Sequence, residues 1–99
     1  MKNLKISYIK KLGNSQYFKL AIEGFLYLLE NKLTESNQLI QDNFKCICAE
    51  YNNKPIGCIV FDTYDDNCIW MYLIYVQQKF QNEKVFSQML KRLEEWCRN

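Results

Sequence analysis

Cys68-Ile69-Trp70-Met71-Tyr72-Leu73-Ile74-Tyr75-Val76-Gln77-Gln78-Lys79-Phe80-Gln81-Asn82-Glu83-Lys84-Val85-Phe86-Ser87-Gln88-Met89-Leu90 holds a change of period that decides the fold. Its first nine residues are apolar at nearly every position, as in a strand buried on both faces. Strict alternation puts Cys68, Trp70, Tyr72, Ile74 and Val76 on one side and Ile69, Met71, Leu73 and Tyr75 on the other. Such a strand belongs in the middle of a covered sheet. The polar stretch Gln77 to Asn82 ends it. Val85, Phe86, Met89, Leu90, Leu93, Trp96 and Cys97 then recur at helical spacing on one broad face.

Upstream, two more strands lead into this one. Phe44 to Tyr51 and Ile56 to Thr63 read as an antiparallel hairpin around the turn Asn52-Asn53-Lys54-Pro55, and Asp65-Asp66-Asn67 makes the next turn. Further back, Leu4 to Ile9 alternates as a first strand and Gly13-Asn14 breaks it. Ser15 is placed to cap a helix running to about Asn31, with Phe18, Ile22, Phe25 and Leu29 on its apolar face, widened by Ala21 and Leu28. Thr34 and Glu35 open a short second helix ending near Asn43, since a hydroxyl accepts from free N–H groups and a carboxylate suits the positive helix end. The expected class is α/β (α+β): one domain, residues 1–99, in the order β-α-α-β-β-β-α, with a mainly antiparallel sheet covered by helices.

Composition agrees with one compact core. The chain is 48% hydrophobic with three Gly and one Pro, which excludes a linker or a disordered tail. Thirteen Lys and Arg against eleven Asp and Glu are interleaved, so no basic patch points to nucleic acid. Met1 to Lys11 lacks the apolar block of a secretory signal, and no 18-residue apolar run exists to span a membrane. The chain is expected to be cytoplasmic. Five cysteines, an odd number spread over strands and a helix, are the usage of small apolar residues in a reducing compartment, and Cys97 is expected in the core.

The strand, loop and helix quoted above resemble the signature of the GNAT acetyltransferases. That family's strand ends in a Leu-x-Val-like run, followed by an aromatic residue, Gln or Arg, two variable positions, Gly, one variable position, and Gly or Ala. Val76, Phe80 and Gln81 match the frame, as does the Met89-Leu90 pair. The resemblance implies that acetyl-CoA lies on the backbone of Leu73, Ile74 and Val76 and that its pyrophosphate meets Gln81, Asn82, Lys84, Val85 and Phe86, where free helix amides attract anions. The family's small loop positions carry Asn82, Lys84 and Phe86 in this sequence. Asn tolerates positive φ; a benzyl group at Phe86 is expected to fill space that the cofactor or the packed strand would occupy. The family fold also continues beyond this helix with a further strand that opens the cofactor cleft.

These departures favour a reduced GNAT-like domain that has lost acetyl transfer, needs no cofactor and acts as an inhibitor or regulator by binding a protein partner. The alternative is an active acetyl-CoA-dependent N-acetyltransferase whose cleft is completed by a homodimer through the open sheet edge. With no His in the chain, the carboxylates offered are Glu50, Asp62, Asp65 and Asp66. Asp65 and Asp66 read as turn residues and Glu50 as solvent-facing. Cys46-x-Cys48 shares one face of a strand without further ligands, so no metal is expected, and a bridge to Cys58 across the hairpin is sterically conceivable. Tyr27, Tyr51 and Tyr64 lie outside the clearest core positions, a hint of protein recognition.

Overall fold

The structure is a computed structural model and describes residues 3–13, 15–31, 43–65, 68–81 and 84–98. Its elements are β1 (Leu4–Ile9), α1 (Gln16–Glu30), β2 (Lys45–Tyr51), β3 (Lys54–Asp65), β4 (Cys68–Val76), a single 3-10 turn (Gln78–Phe80) and α2 (Val85–Cys97). Residues 34–42 of the expected second helix lie outside the described residues, as do Asp66 and Asn67 of the expected second turn.

The four strands form one antiparallel sheet in the order β1-β2-β3-β4. The hairpin turn is tighter than its sequence implies: Asn52 and Asn53 alone make it, both at positive φ, and Lys54 and Pro55 already belong to β3. Two residues at positive φ suit the right-handed twist of the flanking strands, and Asn adopts that conformation more readily than most residues.

β4 is not central. It pairs only with β3, so β3 and β2 are the inner strands and the outer edge of β4 is free among the described residues. Its side chains do not alternate strictly either. Val60 pairs with Leu73 and Phe61 with Met71, which leaves Tyr72 as an extra residue, a β-bulge. The bulge turns Tyr72, Leu73 and Tyr75 toward α1, and returns Ile74 and Val76 to the face that carries Ile69 and Met71, toward α2. A second bulge at Ile56, between the pairs Ala49–Gly57 and Glu50–Pro55, likewise puts Ile56 on the α2 face.

Each face of the sheet takes one helix. Ser15 caps α1 as expected, its Oγ accepting from Tyr17 N–H at 3.2 Å and donating to Leu12 O at 2.6 Å. The buried face of α1 is Tyr17, Leu20, Ala21 and Gly24, one position round from the expected stripe; Phe18 and Leu28 pack at its margin and Ile22 is exposed. These residues cover Cys46, Cys48, Cys58, Val60 and Leu73. On the other face α2 buries Val85, Met89 and Leu93 against Ile47, Ile59 and Phe61. Each such burial stabilises the fold by about 1.5–3 kcal/mol. Trp96 seats the far end of α2, edge-on to Phe61 at 5.0 Å and beside Tyr8 at 5.6 Å between ring centroids. Cys97 and Phe86, both expected on the packed face, are exposed.

Gly24 sets how closely α1 approaches β4. A Cβ there would lie 2.6 Å from Cγ and 2.7 Å from Cβ of Tyr75, the root of that side chain and not its movable tip. Gly24→Ala therefore sets a helix-propensity gain of roughly 1 kcal/mol against an overpacking cost of about 1–3 kcal/mol. The expected net result is a lower urea midpoint at unchanged slope; a raised midpoint would show that α1 does not rest on Tyr75.

Candidate functional site

The C-terminal half of β4 and the turn after it form one structural unit. Gln77 N–H donates to Ile56 O at 2.8 Å and Phe80 N–H to Gln77 O at 2.8 Å, so the chain leaves the sheet in a tight 3-10 turn with Phe80 buried beneath it. Gln81 Nε2 then reaches back to Val76 O at 3.0 Å. This bond ties the loop to the strand end and occupies the amide of a residue that the sequence assigned to the cofactor.

Lys84 follows, with φ 60° and ψ 21°, as the N-cap of α2. A lysine thus holds a left-handed conformation that a glycine adopts without strain, at a cost of about 1–2 kcal/mol. No side chain among the described residues caps this helix, and its first turn contains no acidic residue. Ser87 Oγ donates to Lys84 O at 3.0 Å instead of accepting from the helix amides. Gln88 N–H bonds Lys84 O at 3.2 Å, so Val85, Phe86 and Ser87 precede this bond and their N–H groups face outward along the helix axis. These donors make the positive end of a 13-residue helix, a feature of the kind that attracts anions.

The remaining expected residues divide by role. Leu73, Val76 and Val85 are buried, so their side chains belong to the core and only their backbones can serve a ligand. Ile74 is 37% exposed on the free edge strand. Asn82 lies outside the described residues. Phe86 is 44% exposed and packs in neither core cluster, so its ring does not fill the space against the strand. The helix phase carries it to the outside while Val85 turns inward.

The carboxylates named from sequence are elsewhere. Asp62 is held by Lys45 at 3.1 Å and Glu50 lies 4.0 Å from Lys5; Glu50 is largely buried and not solvent-facing. The carboxylate at the end of β4 is Glu23, on α1. It accepts from Tyr75 Oη at 3.0 Å and from Gln77 Nε2 at 3.5 Å. Sequence periodicity does not single it out, because its partners are more than fifty residues away. Burial, reinforced by that bond to Glu23, pushes the Tyr75 phenol up to about 12, so it stays protonated near neutrality and acts as a donor.

Cys46, Cys48 and Cys58 are buried free thiols under α1, with Cys48 Sγ 3.6 Å from Cys46 Sγ. Hydrogen bonding among the thiols, with burial, pushes Cys46 and Cys58 well up, which keeps them protonated and unreactive. Among the described residues no group of three or more His, Cys, Asp or Glu has the arrangement of a metal site, and no helix is long and apolar enough to cross a membrane.

The model of the acetyltransferase (GNAT) family matches residues 9–99. The chain belongs to the GNAT family. Solved structures show the same fold: an aminoglycoside acetyltransferase from an uncultured soil metagenomic sample, in complex with trehalose, superposes with a TM-score of 0.68 at 20% identity, over 96% of this chain and 70% of that one. The sisomicin complex of that enzyme gives 0.67 at 19% identity with the same coverage. No curated protein matches the chain in sequence. Within this GNAT domain, the strand, turn and helix described above are the part that carries the family signature.

Relief of the strain at Lys84 is measurable. Lys84→Gly is expected to stabilise the domain by about 1 kcal/mol, a rise of roughly 4–8 °C in Tm for a chain of this size. A lower Tm would mean that the lysine side chain, and not backbone conformation, holds the loop.

Proposed function

We propose that this GNAT domain binds acetyl-CoA at the start of α2 and serves acetyl transfer to an amine, with the cleft closed along the free edge of β4 by a second copy of the chain. The supporting observation is the uncapped start of α2 behind a left-handed Lys84. A pyrophosphate fits that end of the helix: donors without acceptors, a positive dipole and one ammonium, with no side-chain cap to displace. Acetyl-CoA supplies a thioester, so transfer forms a C–N bond, breaks the C–S bond, and moves the amine proton to a base and a proton to the departing sulfur. The free backbone edge of β4 would orient the acyl arm, which contributes through positioning. Glu23, at the end of that strand, is the carboxylate placed to take the amine proton, and protonated Tyr75 fixes its orientation.

The edge itself supports the second copy. Trp70 (56% exposed), Met71 (46%) and Ile74 all stand on β4, and an apolar groove of about 390 Å³ between β4 and α2 is lined by Ile69, Met71, Leu90, Leu93 and Cys97, with Glu94 and Arg98 also in its wall. A two-fold axis would bring the Glu94 of one copy toward the Arg98 of the other and cover an edge that is otherwise open to aggregation. Sedimentation velocity is expected to show a dimer that Met71→Lys converts to monomer; a wild-type monomer at about 100 μM, well above a typical micromolar Kd, would remove the second copy from the proposal.

The second reading, a partner-binding domain without transfer, is favoured by exposed Phe86 at the family's small position. Calorimetric titration with acetyl-CoA separates the two. Saturable binding is expected, weakened roughly tenfold (about 1.4 kcal/mol) by Lys84→Glu. Silence up to millimolar ligand would overturn the first reading and leave the second.

A further inference from the structure

A second groove lies apart from the loop that meets α2. It occupies about 570 Å³ between the β2–β3 turn and the 3-10 turn after β4, and its walls are Tyr51, Asn52, Lys54 and Ile56 on one side and Gln77, Lys79 and Phe80 on the other. Gln81, Lys84, Val85 and Phe86 do not line it. The volume falls within the range of small-molecule sites.

We propose that this groove binds a small phosphomonoester carried on an aromatic ring. Three features define that chemistry. Its floor is aromatic: the half-buried ring of Tyr51 leans on the buried ring of Phe80, 5.5 Å apart between centroids, and Tyr51 gives the apolar face against which a flat ring can pack. Among the described residues its charge is of one sign: no carboxylate lines it, and neither Lys54 nor Lys79 has an ion-pair partner. Glu23, which Gln77 Nε2 contacts at 3.5 Å from the α1 side, is not among the walls. Two unneutralised ammonium groups match a phosphomonoester, which carries nearly two negative charges at pH 7. Lys79 Nζ lies 5.3 Å from the Phe80 ring centroid, so one cation is already held over the aromatic floor.

The walls are also fixed before any ligand arrives. On one side the turn is set by the positive φ of Asn52 and Asn53; on the other the Gln77 N–H bond to Ile56 O locks the 3-10 turn to β3. A groove whose two walls are hydrogen-bonded to each other needs little reorganisation on binding.

Phenyl phosphate is the probe, followed by NMR or calorimetry, with inorganic phosphate and phenol as controls. The expected result is saturable submillimolar binding of phenyl phosphate, at least tenfold tighter than either control, that weakens with added salt. Lys54→Gln with Lys79→Gln is expected to reduce affinity at least tenfold, and Tyr51→Ile, which keeps the wall apolar but removes the ring, severalfold. Lys84→Glu is expected to leave it unchanged, which keeps this site distinct from the start of α2 and the outcome independent of the acetyl-CoA reading. Absence of binding at 10 mM, well above the ~1 mM scale of a weak site, equal binding of inorganic phosphate, or loss of binding on Lys84→Glu would each overturn the proposal.

Discussion

Pairing of β3 along both its edges is the constraint from which the rest of the domain follows. Twelve residues long, it holds β2 on one side and β4 on the other, and its inner residues alternate between the two helices. Cys58 and Val60 face α1; Ile59 and Phe61 face α2. Of the three register shifts in this pairing, those at Ile56 and Tyr72 change which residues face which helix. Without the extra residue at Tyr72, the end of β4 would present Leu73 and Tyr75 to α2 and Val76 to α1. The contact of Tyr75 with Gly24 and Glu23 would then be lost, and with it the anchor between α1 and the strand of the family signature.

This explains which parts were legible in the sequence. The bounds of β4, the Ser15 cap, the polar interruption after Val76 and the helix beginning at Val85 are local signals of periodicity and capping, and they match the structure. Strand order is not local. A run apolar on both faces reads as central, but here the second apolar face is left partly exposed on an edge. A bulge likewise depends on the partner strand's register, which no property of Tyr72 itself encodes. Phe86 and Cys97 lie outside the packed stripe of α2, which buries Val85, Met89 and Leu93 and packs Leu90 and Trp96 at its margin. Glu23 is part of the site only through contacts to β4, so a search for carboxylates among turns and strands passed over it.

At the site itself, local cost and functional opportunity coincide. Lys84 keeps a backbone conformation for which glycine is better suited, and α2 begins without the capping side chain that most helices use. Neither feature stabilises the fold. Both leave backbone donors free at the start of α2. Before them, Gln81 is tied to the strand end through Val76 O.

The measurement that tests this most directly is an amide-resolved NMR titration with coenzyme A. The account predicts that the largest shifts fall on the amides of Lys84, Val85, Phe86 and Ser87, with the edge residues of β4 following as the acyl arm is oriented. Saturable binding with those four amides unmoved would contradict it, because the anion would then be held somewhere other than the start of α2.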